Sequence, residues 1–254
     1  MRKNNKIVTD FEMDKYRERL IDENKIKEFL KTYRQKKIIK NSNTREFWNN
    51  KIEAGKDFRR LDPMSKDRIV QVIRLIRAKE GRILDLGFGY GYFEQKIKDE
   101  NNNFELYGID VSNYAVEQAR KKYGKNFFIG SISKLPFKDN FFDYVVSLEC
   151  LEHIESNKIF ITLAEIKRVL KVKGRAIFSV PINEKYTEDF NPNNHLRRYS
   201  EKIFTQELII ARFKVEKTIK LYAFSNYYLL KKLLSKLLPY RWKPNILIAK
   251  CSRG

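Results

Sequence analysis

One run, "ILDLGFGYG" from Ile83 to Gly91, limits what this chain can fold into more than any other. An apolar stretch reaches Asp85 and passes almost at once into a turn with glycine at 87, 89 and 91. Alternate glycines remove the Cβ atoms that would hold a ligand off the backbone, and they permit φ values that other residues avoid. The turn runs into "YFEQKIKDE", which reads as a helix whose N-terminus faces whatever the turn holds. Strand, glycine turn and helix in that order are how an open α/β sheet builds a nucleoside site.

The flanking acids narrow the nucleoside. A dinucleotide fingerprint has the spacing G-x-G-x-x-G, whereas this turn reads G-x-G-x-G, and the Lys-Ser/Thr pair of a phosphate-binding loop is absent. Asp85 at the mouth of the turn would repel a pyrophosphate and attract a cation. Asp110 closes the next strand, "FELYGID", 19 residues past Gly91. There an acid can accept hydrogen bonds from ribose hydroxyls. The pattern fits an adenosine with a positively charged tail free of phosphate.

Strands and helices alternate on either side. "RILDL", "FELYGID", "NFFIG", "FFDYVVSL" and "RAIFSV" read as strands. Ser65 caps a helix that Gly81 stops; Ser112 caps another, stopped by Gly124; "NKIFITLAEIKRVLK" is a third, closed by Gly174. Strands this apolar, joined by helices, predict an α/β fold with a parallel sheet covered on both faces. A polar loop with two prolines follows, "PINEKYTEDFNPNNHLRRYS", then the helix "SEKIFTQELIIARF".

"ILDLGFGYG", "YGIDVS", "GSISKLPFKDNFFDYVVSLECLEHI", "EIKRVLKVKGRAIFSVP" and "HLRRYSEKIFTQELIIARF" together resemble the class I S-adenosylmethionine-dependent methyltransferases, in particular the branch with quinone-biosynthesis and other small-molecule enzymes. The resemblance covers about Ile83 to Phe213. It implies a Rossmann-like, doubly wound sheet of seven strands, mostly parallel with the last antiparallel, so that "FKVEKTIK" and "NILIAKC" become strands six and seven. It implies S-adenosyl-L-methionine as cofactor. Asp85, Gly87, Gly89 and Gly91 would line its methionyl part, Asp110 would hold its ribose and Val111 would pack on its adenine. Ser131 and Ile132 would meet the adenine edge, with serine where the family usually has aspartate. Leu148 and Glu149 would flank the methionyl group.

Methyl transfer to an oxygen or carbon acid needs alignment, exclusion of water and a base. The chain has two histidines, His153 in "LECLEHI" and His195 in "NNHLRRY", both expected near the carboxyl edge of the sheet. Each is a candidate catalytic base and equally a residue that fixes local backbone. Arg197 and Tyr199 beside His195 are candidate substrate contacts. Trp48 is a candidate pocket wall, with anchoring of a lid to the core as its alternative. No residue is assigned as a metal ligand; Cys150 and Cys251 lack the spacing of a metal knuckle and suit a reducing, cytoplasmic setting.

The net charge of +21 is concentrated at the ends. Residues 1–60 hold 18 lysines and arginines against 10 acids, and residues 212–254 hold 11 against one. Residues 1–60 are read as a basic, helical extension or lid, and 61–254 as the catalytic domain with an amphipathic helical insertion at about 225–242. There Leu229, Leu230, Leu233, Leu234, Leu237 and Leu238 form one stripe, opposite Lys231, Lys232, Ser235 and Lys236. Tyr227, Tyr228, Tyr240 and Trp242 flank them. Such a helix either lies on an anionic membrane, on the inner face of the cell, or packs on the protein's own core or a second copy. The acceptor is therefore read as a small or lipid-linked molecule. The alternatives are an RNA methyltransferase that grips phosphates with its basic ends, and a cofactor-binding subunit without catalysis. Nucleic acid is the weaker partner reading, because aromatics are not interleaved with the basic clusters.

Overall fold

The computed structural model describes residues 23–31, 41–55, 61–100, 103–185, 193–224, 226–238 and 241–254. Much of the extension read for residues 1–60 lies outside these (1–22, 32–40 and 56–60), as do residues 186–192 of the polar loop and Tyr240.

Seven strands form one sheet: β1 (Glu80–Leu86), β2 (Asn103–Asp110), β3 (Phe127–Ile129), β4 (Phe142–Leu148), β5 (Leu170–Pro181), β6 (Phe213–Leu221) and β7 (Ile246–Arg253). Their order is β3-β2-β1-β4-β5-β7-β6. The first five pair in parallel, and β7 runs antiparallel to β5 and β6. The doubly wound sheet with an antiparallel last strand is the architecture the sequence predicts. Successive side chains on a strand point to opposite faces. Val145 and Phe178 therefore enter one apolar layer, while Val146 and Ile177 enter the other.

Helices supply the outer walls. α1 (Glu23–Leu30), α6 (Ile159–Val169) and α7 (Glu201–Ile210) close one face through Phe29, Leu163 and Phe204. α2 (Arg45–Ala54), α3 (Pro63–Leu75), α4 (Tyr92–Asp99) and α5 (Asn113–Tyr123) close the other through Ile52, Val72, Ile97 and Val116. A last helix, α8 (Tyr228–Leu237), lies between β6 and β7 in the chain.

Three boundaries differ from the sequence reading. Asp62, not Ser65, caps α3: its Oδ1 accepts from the main-chain N of Met64 and Ser65 at 3.0 and 3.1 Å. Pro63 takes the first helical position, where its fixed φ suits a helix start, and that places the cap three residues earlier than Ser65. α3 ends at Leu75, and Gly81 lies inside β1. Gly174 likewise lies inside β5, because α6 ends at Val169 and the strand begins on the next residue.

The connections place the site. β1 has β2 on one side and β4 on the other, so the winding direction reverses there and opens a crevice at the carboxyl ends of the strands.

Candidate active site

The cleft at this switch point encloses about 810 Å³, open solvent at its mouth included. Each strand end contributes a pair of residues. Gly87 and Gly89 follow β1, Asp110 ends β2 with Val111 next to it, Ser131 and Ile132 follow β3, and Glu149 and His153 follow β4. These predicted residues share one cavity.

The glycine turn is held from the neighbouring strand. Gly87 donates its main-chain N–H to the Ile109 carbonyl at 2.8 Å, and Gly89 donates to Asp110 Oδ2 at 3.0 Å. Asp110 Oδ1 accepts from the Ser112 N–H at 2.8 Å. Burial raises the Asp110 pKa, and the N–H groups of Ser112, Gly89 and Val111 act against that rise. Gly87 and Gly89 have φ of +69° and +54°, in the left-handed region that side chains avoid. A Cβ on Gly87 would stand 2.6 Å from Cys150 Sγ. Gly87→Ala should therefore cost about 1–3 kcal/mol in stability and weaken cofactor binding. Removing the opposing sulfur with Cys150→Ala should restore part of both, as read by thermal melts and calorimetry.

Gly91 and Asp85 lie behind this wall. Gly91 is the N-cap of α4 at φ +71°, and its carbonyl accepts from Tyr123 Oη at 2.9 Å. Asp85 is buried beneath the turn, beside Glu94 of α4. The sequence reading did not single out Glu94, because only the turn between them brings the two carboxyls together. Asp85 Oδ1 and both Glu94 oxygens lack a donor from another residue. Burial raises the pKa of both, Asp85 to about 7, and Asp85 pushes Glu94 well above the usual carboxylate range.

Across the cleft, Glu149 leaves β4 at φ +53°. Its Oε1 accepts from Ser179 Oγ at 3.0 Å, and its Oε2 lies 3.5 Å from Arg68. Burial pushes His153 down to about 3, with His195 adding to the shift. At neutral pH the His153 ring is uncharged. It can orient a hydroxyl, but it is too weak a base to take the proton. Cys150 lines the cleft as well, and burial pushes its thiol well above the usual range, so it is not a nucleophile.

α2 forms the remaining wall. Thr44 caps it, and the Trp48 ring packs edge-on to His153 at 4.8 Å. Asn49 Oδ1 accepts from Ser112 Oγ at 2.8 Å, and Tyr90 Oη donates to the Lys51 carbonyl at 3.1 Å. Trp48 is thus both pocket wall and anchor. Lys51 and Ile52 line the cleft beside it; the sequence reading passed over both, one turn past the tryptophan.

Like Asp85 and Gly91, four more predicted residues do not reach the cavity: Leu148, Arg197, Tyr199 and His195. Leu148 packs into the apolar layer. Arg197 and Tyr199 are buried, 1% and 4% exposed, and both bond to Glu207: Arg197 Nη1 at 2.6 Å and Tyr199 Oη at 2.9 Å. They brace the polar loop against α7 and stand outside the cleft lining. His195 is also buried and stands behind His153, the ring centroids 4.9 Å apart.

Comparison with known proteins agrees with this geometry. Residues 84–178 match the family described as a methyltransferase domain. A 178-residue stretch is 33% identical to an uncharacterised protein of Methanocaldococcus jannaschii, covering 65% of this chain and 70% of that one. A ubiquinone/menaquinone biosynthesis C-methyltransferase of Rickettsia akari is 31% identical over 135 residues, 47% of this chain; the match spans about half of that relative, 53%. Among solved structures, the 1,6-didemethyltoxoflavin-N1-methyltransferase of Burkholderia thailandensis, solved with its substrate and S-adenosylhomocysteine, superposes with a TM-score of 0.62. That match is 16% identical and covers 83% of this chain and 87% of that one, a likeness of fold. The chain belongs to the class I S-adenosylmethionine-dependent methyltransferases.

Proposed function

We propose that this chain transfers a methyl group from S-adenosylmethionine to an oxygen or carbon of a small acceptor that it meets at a lipid surface. The observation that carries the transfer reading is Asp110: its carboxylate holds the glycine turn and lines the same cavity as His153 and Trp48. The chain's residues fit the cofactor. Asp110 keeps acceptor capacity toward the cleft for ribose hydroxyls, Val111 and Ile132 offer apolar walls for a base, and the bare turn admits the tail. Bound there, the cofactor supplies a methyl group already activated by its sulfonium. The protein's part is then alignment and dryness. Trp48, Ile52 and Ile154 exclude water, and neutral His153 orients the acceptor. Incubating the full chain with labelled S-adenosylmethionine and separate lipid and polar extracts tests this. Methyl incorporation with formation of S-adenosylhomocysteine is expected; no turnover from either extract, despite cofactor binding, would favour the non-catalytic reading.

The lipid surface is argued from α8. Leu229, Leu230, Leu233 and Leu237 are each more than half exposed, Leu229 reaching 78%. The opposite side of the helix is tied down instead: Lys232 Nζ and Tyr228 Oη reach Asp67 of α3 at 2.6 and 2.8 Å, and Ser235 is buried. Packing on the protein's own core would turn the leucines inward, and here they face out. Basic residues flank them, with no acid after Glu216, and each cation near an anionic bilayer adds about 1 kcal/mol. Among the described residues no helix is long and apolar enough to cross a membrane, so the fit is to an interfacial helix. Replacing Leu229, Leu233 and Leu237 together by glutamine should cut association with phosphatidylglycerol vesicles at least fivefold without changing the circular dichroism. Unchanged flotation, or dimerisation of the parent chain that the substitutions abolish, would remove the membrane from the account.

A further inference from the structure

Behind His153, on the side away from the glycine turn, lies a group of side chains that methyl transfer as described leaves unused. Glu152 follows β4 in the 3-10 turn Leu151–His153, and its carboxylate is fully buried. No hydrogen-bond donor reaches either of its oxygens. The residue is held in place by its backbone, because its carbonyl accepts from the N–H groups of Leu196 at 2.9 Å and Arg197 at 3.3 Å. The same two bonds fasten the return loop that carries His195. His195 Nε2 thereby comes to 3.9 Å from Glu152 Oε1.

Both imidazoles are oriented from behind. His195 Nδ1 lies 2.8 Å from Glu184 Oε2, and His153 Nδ1 lies 3.2 Å from the Asn194 carbonyl. An acceptor at Nδ1 fixes the ring proton there and leaves the lone pair on Nε2. A histidine whose Nδ1–H is held by a carboxylate or a carbonyl is the usual support for a metal-ligating Nε2. One ligand atom from each of Glu152, His153 and His195 lies within 4.8 Å of the others. Two ligands about 2.1 Å from a common ion are at most about 4.2 Å apart, so modest side-chain rotation closes the set.

We propose that Glu152, His153 and His195 bind a divalent first-row transition-metal ion at the acceptor end of the cleft. A buried carboxylate without donors needs a proton or a cation, and two imidazole nitrogens beside it select a borderline ion such as zinc over magnesium. Of the three, His153 lines the cavity, which puts the ion next to the space left for the acceptor in this proposal. This deepens the reading above and rests on it for the choice of substrate. A hydroxyl bound to such an ion loses its proton to water at a lower pH, and the resulting oxygen anion is the nucleophile. The class of acceptor this favours is a hydroxylated one, methylated on oxygen.

The full chain, stripped with a chelator and dialysed, is titrated with zinc by calorimetry and with cobalt(II) by visible absorption. One ion per chain is expected, with cobalt d–d bands of a nitrogen- and oxygen-ligated site. Glu152→Gln and His195→Gln should each weaken zinc binding at least tenfold. Zinc binding equal in the parent and both variants, or absent from the folded parent, overturns the proposal. Because the cobalt spectrum is read on the parent chain, failure of a variant to fold does not blunt the test. Calorimetry with S-adenosylmethionine on the same stripped sample separates the two ideas: cofactor binding without metal binding defeats only the metal site, and metal binding without cofactor binding defeats only the transferase reading.

Discussion

Arg197→Ala is expected to cost about 3–5 kcal/mol of folding stability, the range for removing one partner of a buried ion pair. The guanidinium is 1% exposed and Glu207 is fully buried. Besides the 2.6 Å bond to Glu207, Arg197 donates Nε to the Ile154 carbonyl at 2.8 Å and Nη2 to the Leu151 carbonyl. Its guanidinium also lies over the Tyr199 ring, 4.8 Å from the centroid. Alanine would strand a buried carboxylate and two buried carbonyls together, and each unmet group carries its own desolvation penalty. At roughly 2–4 °C per kcal/mol for a chain of this size, the melting temperature should fall by about 10 °C. Arg197→Met paired with Glu207→Leu should recover much of the loss, since an apolar pair leaves no charge behind. Thermal melts of the three proteins without ligand are the measurement. If Arg197→Ala melts with the parent and instead raises the KM of the acceptor, the residue belongs to the substrate site, as its place in the sequence implies.

That contrast shows where the sequence is legible. The glycine turn and Asp110 could be read because their chemistry is local: each residue sits at a strand end, and the strand pattern alone places it. Ser112 and Gly124 were legible as helix limits for the same reason. Arg197 and Tyr199 lie in a polar loop that looks like a binding loop, and only Glu207, arriving on α7, shows them to be braces. The pair Asp85 and Glu94 is similar, since eight residues separate them in the chain and only the folded turn brings the carboxyls together. In α8 the leucine period gives an amphipathic helix but cannot say which side goes down. Asp67 of α3 decides that by holding Lys232 and Tyr228. Gly81 and Gly174 misled because a glycine stops a helix or tolerates a strand position equally well, and the neighbouring strands choose.

Asp110→Ala should weaken S-adenosylmethionine binding at least 100-fold and leave a folded protein. The side chain has two duties. Toward the protein it accepts from Gly89 and Ser112, holding the turn open at its observed width. Toward the cleft its remaining lone pairs are placed for ribose hydroxyls, in bonds strengthened by the negative charge. Hydrogen bonds to a charged group contribute about 1.5–3 kcal/mol each, so losing the ribose contacts alone costs roughly 3 kcal/mol, or about two decades in affinity. Losing the two inner bonds should lower the melting temperature of the free protein only modestly, because the Gly89 turn lies at the cleft and water can replace the carboxylate there. Asp110→Asn separates the duties: one amide oxygen can still accept from Gly89, so the turn survives while the charge is gone. Its affinity should fall between the parent and Asp110→Ala. Since the ribose is common to S-adenosylmethionine and S-adenosylhomocysteine, calorimetry should record the same loss for both. A loss confined to the methylated form would place Asp110 at the sulfonium end, and a change of less than threefold for either would take the nucleoside out of this cleft.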